Sequence, residues 1–210
     1  MRIALIHAGA VSIPPIEAAF RRLWPEAVLM NLLDDSLFSD RGPGALPPEM
    51  TPRFLTLARY AASTGADGIL FTCSAFGPCI EACAEALAPI PVMKPNEAMV
   101  EAACAAGRRV GLLATFPGTL ATMPEEFPSD VTLDPKLAEG AFAALQAGDM
   151  AEHDRLVAEA AGELTDCDVI ALSQFSLARA APAVERAIGR TVLTTPESAV
   201  RKMQKILSRP

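Results

Sequence analysis

The residues that could do chemistry are concentrated in one short segment, where Cys73 lies between Thr72 and Ser74. Residues 68–71 before it are apolar and of strand length, and residues 80–87 after it favour a helix. A thiol at such a junction lies among the backbone N–H groups of the helix N-terminus, which stabilise a thiolate and also bind anions. The segment therefore predicts a thiol that acts as acid, base or nucleophile.

Two other interpretations of the cysteines have to be weighed. A free cysteine at a strand end is often buried and inert, so a structural role for Cys73 stays open. Cys79 and Cys83 lie one helical turn apart, but their spacing to Cys73 is not a zinc pattern and no histidine is close in sequence. We expect Cys79 and Cys83 to be small core residues.

Parts of the chain recur in the same order about a hundred residues later, which is typical of a duplicated lobe. The duplication places Gln174 at the position equivalent to Cys73. Three pairs of segments carry it: residues 2–7 with 109–114, residues 67–73 with 168–174, and residues 91–100 with 191–200.

Short apolar strands that alternate with helical segments predict an α/β fold with parallel sheets. With the duplication, we expect two similar α/β lobes. The first spans residues 1–98 and the second residues 99–195, and the C-terminal helix at 196–210 packs back on the first lobe. In such sheets ligands bind at the carboxyl ends of the strands.

Three further segments receive expectations of their own. The glycine- and proline-rich residues 34–48 predict a mobile flap at the mouth of the site, and residues 124–135 predict loop and short extended structure. His153 and Asp154 are neighbours on a predicted helix, where adjacent side chains point about 100° apart. We therefore expect them on the solvated surface.

The composition excludes some classes of function. The 210 residues carry a net charge of −7, so there is no basic stripe for nucleic acid. No apolar run is long enough to cross a bilayer, no signal peptide precedes the first strand, and the odd set of five cysteines fits a reduced, cytoplasmic protein. The glycines near His7 and Phe116 form no nucleotide-binding motif.

The Thr-Cys-Ser turn at residues 72–74, the segment 113–119 and the turn at 193–196 resemble the Asp/Glu racemase superfamily, which includes aspartate, glutamate and hydantoin racemases, maleate isomerase and arylmalonate decarboxylase. The resemblance implies two lobes related by a pseudo-twofold duplication, with the active-site cleft between them. It also implies two cysteines, one per lobe, on opposite faces of an acidic carbon next to a carboxylate. Cys73 matches the first, but Gln174 stands at the second and cannot exchange a proton.

The resemblance therefore implies a cofactor-independent racemase or isomerase that acts on a small carboxylate, with Cys73 catalytic and no metal. Two alternatives stay open, a cofactor-free decarboxylase of a malonate-type acid and a non-catalytic carboxylate-binding protein. A homodimer is also implied. His7 is either a hydrogen-bonded turn residue or part of the site. The residues expected to bind substrate are His7, Ser12, Thr72, Ser74, Asn96, Thr115, Thr119, Ser173 and Gln174.

Overall fold

The structure is a computed structural model that describes residues 1–42, 46–190 and 192–208. Strands and helices alternate along these residues. The strands are β1 (Arg2–His7), β2 (Val28–Leu33), β3 (Gly68–Phe71), β4 (Val92–Met93), β5 (Arg109–Ala114), β6 (Thr132–Leu137), β7 (Val169–Leu172) and β8 (Val192–Thr194). The α-helices are α1 (Ile13–Leu23), α2 (Ser36–Arg41), α3 (Met50–Ser63), α4 (Gly77–Leu87), α5 (Glu97–Ala106), α6 (Pro117–Thr122), α7 (Ala141–Gln146), α8 (Met150–Gly162), α9 (Ala181–Ile188) and α10 (Thr195–Leu207). Short 3-10 helices occupy Ala10–Ser12, Ser74–Phe76, Met123–Glu126 and Phe175–Ala180.

The strands form two parallel four-stranded sheets with the same topology. The first sheet has the order β2-β1-β3-β4, and the second has the order β6-β5-β7-β8. Each strand of the second sheet therefore repeats the place of a strand in the first. The predicted α/β fold with two similar lobes is confirmed.

The chain divides into two compact units, each with its own apolar core. The first unit contains residues 1–96 together with the residues from 199 onward, and the second contains residues 97–198. In the first core, the ring of Phe54 on α3 lies 5.1 Å from that of Phe71 and 4.8 Å from that of Phe76. In the second core, α8 packs through Val157 against the buried strands β5 and β7.

Equivalent backbone hydrogen bonds close the two sheets at their carboxyl ends. The Thr72 N–H donates to the Ile6 carbonyl at 3.0 Å, and the Ser173 N–H donates to the Leu113 carbonyl at 3.0 Å. The next residue in each unit is extended, with φ of −128° at Cys73 and −137° at Gln174, and each precedes a 3-10 helix. Cys73 and Gln174 therefore hold equivalent positions in the two lobes.

The expectation of an irregular flap is wrong for residues 36–41, which form helix α2. Leu37 is buried in the first core with 1% exposure. Arg53 of α3 anchors the same segment through ion pairs with Asp34 at 3.2 Å and with Asp40 at 2.7 Å. These contacts supply the stability that the composition did not indicate. Residues 43–45 of the expected flap lie outside the described residues.

The expectation of loop structure is also wrong for the end of residues 124–135. Strand β6 begins at Thr132 and pairs in parallel with β5, with Pro135 opposite Leu112. Proline has no N–H to donate, but β6 is an edge strand, where one side needs no partner. The strand therefore forms despite its proline.

Cys79 and Cys83 are buried in the first core, as expected. Within the ranges that the structure describes, no group of three His, Cys, Asp or Glu side chains could hold a metal ion. In the same ranges, no helix has the length and apolar character to cross a membrane.

The packing of β5 leads to a test of the second core. A Cβ atom at Gly111 would lie 2.6 Å from Ile170 Cδ1 and 2.9 Å from Leu164 Cδ1, whereas one at Gly162 meets nothing within 4 Å. We predict that Gly111→Ala lowers the free energy of unfolding by about 1–3 kcal/mol through overpacking. The control Gly162→Ala should leave it unchanged or raise it by about 0.4–1 kcal/mol. Urea unfolding measures both, and equal stability of the two variants would contradict the described packing.

Candidate active site

The Cys73 turn lies at the carboxyl end of β3, which is central in the first sheet. Cys73 is partly exposed, and Ser74, the first residue of the following 3-10 helix, is exposed. Burial raises the pKa of the Cys73 thiol above its ordinary value, while a hydrogen bond from the Ala75 N–H and the charge of Arg41 act in the opposite direction. The helix N-terminus therefore assists the thiolate as expected, but burial outweighs it, and Cys73 is a thiol at neutral pH.

Arg41 is a residue of this turn that the sequence did not reveal. It is the last residue of α2, and its Nε donates to the Ala75 carbonyl at 3.2 Å. The guanidinium is thereby held on the turn that carries Cys73. Because α2 falls in a segment rich in glycine and proline, its composition hid this contact.

His7, Ser12 and Thr72 form a buried hydrogen-bonded cluster directly before Cys73. His7 is fully buried, and its Nδ1 lies 2.9 Å from Ser12 Oγ and 2.8 Å from Thr72 Oγ1. The two hydroxyl oxygens are 2.8 Å apart, and Ser12 Oγ also donates to the Gly9 carbonyl at 2.9 Å. The structure thus brings together three of the expected residues.

Asn31 and Glu17 extend this cluster on the other side of the imidazole. His7 Nε2 lies 3.0 Å from Asn31 Oδ1, and Asn31 Nδ2 donates to Glu17 Oε1 at 2.8 Å. Burial lowers the pKa of His7 below its ordinary value, although the hydrogen bond with Asn31 and the charge of Glu17 raise it. Sequence reasoning missed both residues, and the signal was one polar residue in the apolar strand β2.

In the second lobe, the structure brings Thr115 and Gln174 together. Gln174 Oε1 accepts hydrogen bonds from the Thr115 N–H at 2.7 Å and from its hydroxyl at 3.0 Å. The hydroxyl of buried Ser173 donates to the Leu113 carbonyl at 2.8 Å, so it joins strands β5 and β7. Thr119 is half-buried in α6. With Oε1 occupied twice, the amide nitrogen is the group with which Gln174 can donate to a ligand.

Buried polar residues also follow the last strand of each sheet. Asn96 is 3% exposed and lies between β4 and α5, and no contact joins it to the expected residues at Cys73 in the described part of the chain. In the second lobe Thr194 is buried opposite Leu172, and its hydroxyl has no partner among the described residues. Thr195 donates to the Leu172 carbonyl at 3.0 Å. Thr194 is a further polar residue at the carboxyl edge that was not expected.

The expectation for His153 is wrong, because the residue is fully buried rather than solvated. Its Nδ1 lies 2.8 Å from the Asp154 carboxylate, so the two neighbours do meet, and Nε2 has no partner in the described ranges. Arg179 also binds Asp154, through Nε at 2.8 Å. The ion pair draws the Asp154 carboxylate toward the 3-10 helix after β7, where it reaches the imidazole.

The amino-acid sequence matches one family model, described as Asp/Glu/Hydantoin racemase, over residues 16–203. The chain belongs to this family. No curated protein matches the sequence significantly.

Solved structures of racemases and of a decarboxylase share the fold. Allantoin racemase from Klebsiella pneumoniae is 21% identical with a TM-score of 0.74, and the match covers 99% of this chain and 88% of that one. Unliganded arylmalonate decarboxylase is 20% identical with a TM-score of 0.73, covering 100% and 93%. Glutamate racemase from Francisella tularensis, in complex with D-glutamate, is 13% identical with a TM-score of 0.70, covering 98% and 80%. At these identities the likeness shows the fold alone.

The environment of Cys73 predicts how its reactivity depends on Arg41. Since the Arg41 charge lowers the pKa of the thiol, Arg41→Gln should raise it further. Alkylation of Cys73 by iodoacetamide at pH 8 should then slow by a factor of about 2–10, because one pKa unit changes the thiolate fraction tenfold. Mass spectrometry of the Cys73 peptide measures the rate. The control Arg186→Gln, an exposed residue of α9, should have no effect, and equal rates in both variants would contradict the contact.

Proposed function

We propose that this protein is a cofactor-independent isomerase of the racemase type, which acts at the carbon next to the carboxylate of a small acid. The observation that carries the proposal is the placement of Cys73, a partly exposed thiol at the carboxyl end of a central parallel strand. Ligands of parallel α/β sheets bind at this edge. Membership of the racemase family supports the reaction class.

In the proposed reaction, Cys73 moves a proton to or from the substrate carbon. In one direction the C–H bond breaks, its proton goes to the thiolate sulfur, and its electron pair spreads over the carboxylate as an enediolate. In the other direction the thiol returns a proton to the carbon. These steps need a thiol and hydrogen-bond donors for the developing charge, and no organic cofactor or metal takes part in them.

A carboxylate is the substrate group that suits the donors of the two turns. Arg41 supplies a guanidinium charge at the Cys73 turn, and Ser74 presents an exposed hydroxyl there. In the second lobe, the Gln174 amide nitrogen and Thr119 remain proposed substrate-binding groups. Arginine and amide N–H groups are the usual partners of carboxylate oxygens.

Decarboxylation is a second candidate, favoured by two observations. Gln174 cannot exchange a proton at the position equivalent to Cys73, and Cys73 itself is a thiol at neutral pH. In a malonate-type acid, the bond from carbon to one carboxylate would break and carbon dioxide would leave. The electron pair would form an enediolate with the remaining carboxylate, and the Cys73 thiol would protonate the carbon. This route needs one acid and no base.

Deuterium incorporation tests the proposed reaction. We predict that wild-type protein in deuterated water labels the α-carbon of at least one acid from a panel of amino, hydroxy, aryl and dicarboxylic acids. Cys73→Ala should lower the rate at least about 100-fold, since acid–base groups contribute that much. Proton NMR follows both labelling and release of carbon dioxide.

The control is Cys104→Ala, which removes a partly buried thiol from the other lobe and should keep the wild-type rate. Equal rates for Cys73→Ala and wild type would contradict the role of Cys73. Ligand binding with neither labelling nor carbon dioxide release across the panel would support a non-catalytic carboxylate-binding protein.

The stereochemistry of labelling tests the departure at Gln174. With one titratable group of the pair, wild-type protein should deliver deuterium to one face of the carbon and give one enantiomer. Gln174→Cys supplies a second thiol at the equivalent turn and should give both enantiomers at rates within about tenfold of each other. Chiral chromatography with mass detection measures the ratio. A racemic product from wild type would show that another base replaces Gln174.

A further inference from the structure

The hydrogen bonds around His7 determine which ring nitrogen carries its proton. The Glu17 carboxylate can only accept, so Asn31 must direct its Nδ2 group to Glu17 and its Oδ1 to the imidazole. Asn31 Oδ1 is an acceptor, so His7 Nε2 must carry a hydrogen. Because burial keeps the imidazole neutral, Nδ1 has a lone pair. Glu17 therefore sets the tautomer of His7 through Asn31.

This tautomer in turn commits the hydroxyl protons of Ser12 and Thr72. His7 Nδ1 accepts one proton, and the short contacts assign it to Thr72 at 2.8 Å while Ser12 donates to the Gly9 carbonyl at 2.9 Å. If Ser12 donates to Nδ1 instead, Thr72 donates to Ser12 Oγ at 2.8 Å. In either arrangement both protons stay inside the cluster. Thr72 then has no proton to donate to the adjacent thiol or to a ligand, which is contrary to its expected role as a donor.

The second lobe shows that the fold does not need this network. The positions equivalent to His7 and Asn31 are Ala114, the last residue of β5, and Pro135, which pairs with Leu112 as Asn31 pairs with Leu5. The second sheet forms the same topology with these residues. The network therefore exists only in the lobe that carries the thiol. A requirement of the thiol explains this difference better than a requirement of the sheet.

We propose that Glu17 and Asn31 are positioning residues for Cys73, which act by fixing His7 as a neutral acceptor and thereby holding the hydroxyl of Thr72. The relay keeps positive charge away from the thiol and keeps Cys73 in its acid form. It rests on the proposed role of Cys73 in proton transfer. The acid form is the one that protonates an enediolate.

The tautomer of His7 is the first test, and it does not depend on activity. The chain has two histidines, so two-bond 1H–15N spectra resolve both rings. We predict that His7 is protonated at Nε2 and that His153, which faces the Asp154 carboxylate through Nδ1, is protonated at Nδ1. Glu17→Ala frees Asn31 to rotate and should give a mixture of tautomers at His7. Glu26→Ala, which removes an exposed carboxylate after α1, should change neither ring.

An exchange of the two relay residues is the second test. The double variant Glu17→Gln with Asn31→Asp keeps the net charge and the size of both side chains, but places a carboxylate directly on His7 Nε2. The carboxylate should raise the pKa of His7 and favour the imidazolium, whose Nδ1–H then donates to the hydroxyls. The hydroxyl protons become free and a cation lies beside the thiol, so alkylation of Cys73 at pH 7 should become about tenfold faster.

The outcomes separate this proposal from the proposed function. Protonation of wild-type His7 at Nδ1 would overturn the relay. So would a double variant in which the His7 pKa rises while alkylation of Cys73 is unchanged. If both tests give the expected results and no acid is labelled by wild-type protein, the relay stands and the proposed reaction fails.

Discussion

Two backbone hydrogen bonds determine where the chemistry of this protein can lie. The N–H groups of Thr72 and Ser173 bind the carbonyls of the neighbouring first strands, and they end β3 and β7 at the same level of their sheets. The next residue must leave the sheet, extended and directly before a helical turn. Its side chain therefore lies at the carboxyl edge, where N–H groups are not yet used by a helix. Cys73 and Gln174 owe their places to this constraint rather than to contacts of their own.

The two lobes use the same backbone for different polar chemistry. The first combines a thiol with a guanidinium and with the buried network that ends at Glu17. The second has an amide that Thr115 holds by two hydrogen bonds. A thiol can move a proton and an amide can only orient a ligand. The asymmetry agrees with chemistry in which one group does the proton transfer, whether the carbanion arises from a C–H bond or from loss of carbon dioxide.

The sequence allowed the fold and the Cys73 turn to be predicted because both depend on local pattern. Apolar runs of strand length and helical spacing gave the elements, and the recurrence of 67–73 at 168–174 gave the two lobes. The misses concern residues whose placement depends on distant partners. Pro135 argued against a strand that β5 nevertheless holds as an edge. Arg41 and Asn31 entered the site through contacts 34 and 24 residues away in sequence.

The central claim, that Cys73 meets the carboxylate substrate, is tested most directly by protection of its thiol. Alkylation by iodoacetamide would be measured for each cysteine peptide with and without saturating small mono- and dicarboxylic acids. The account predicts that at least one acid slows alkylation of Cys73 several-fold and leaves Cys104 unchanged. Alkylation of Cys73 at the same rate with every acid that binds the protein would contradict it.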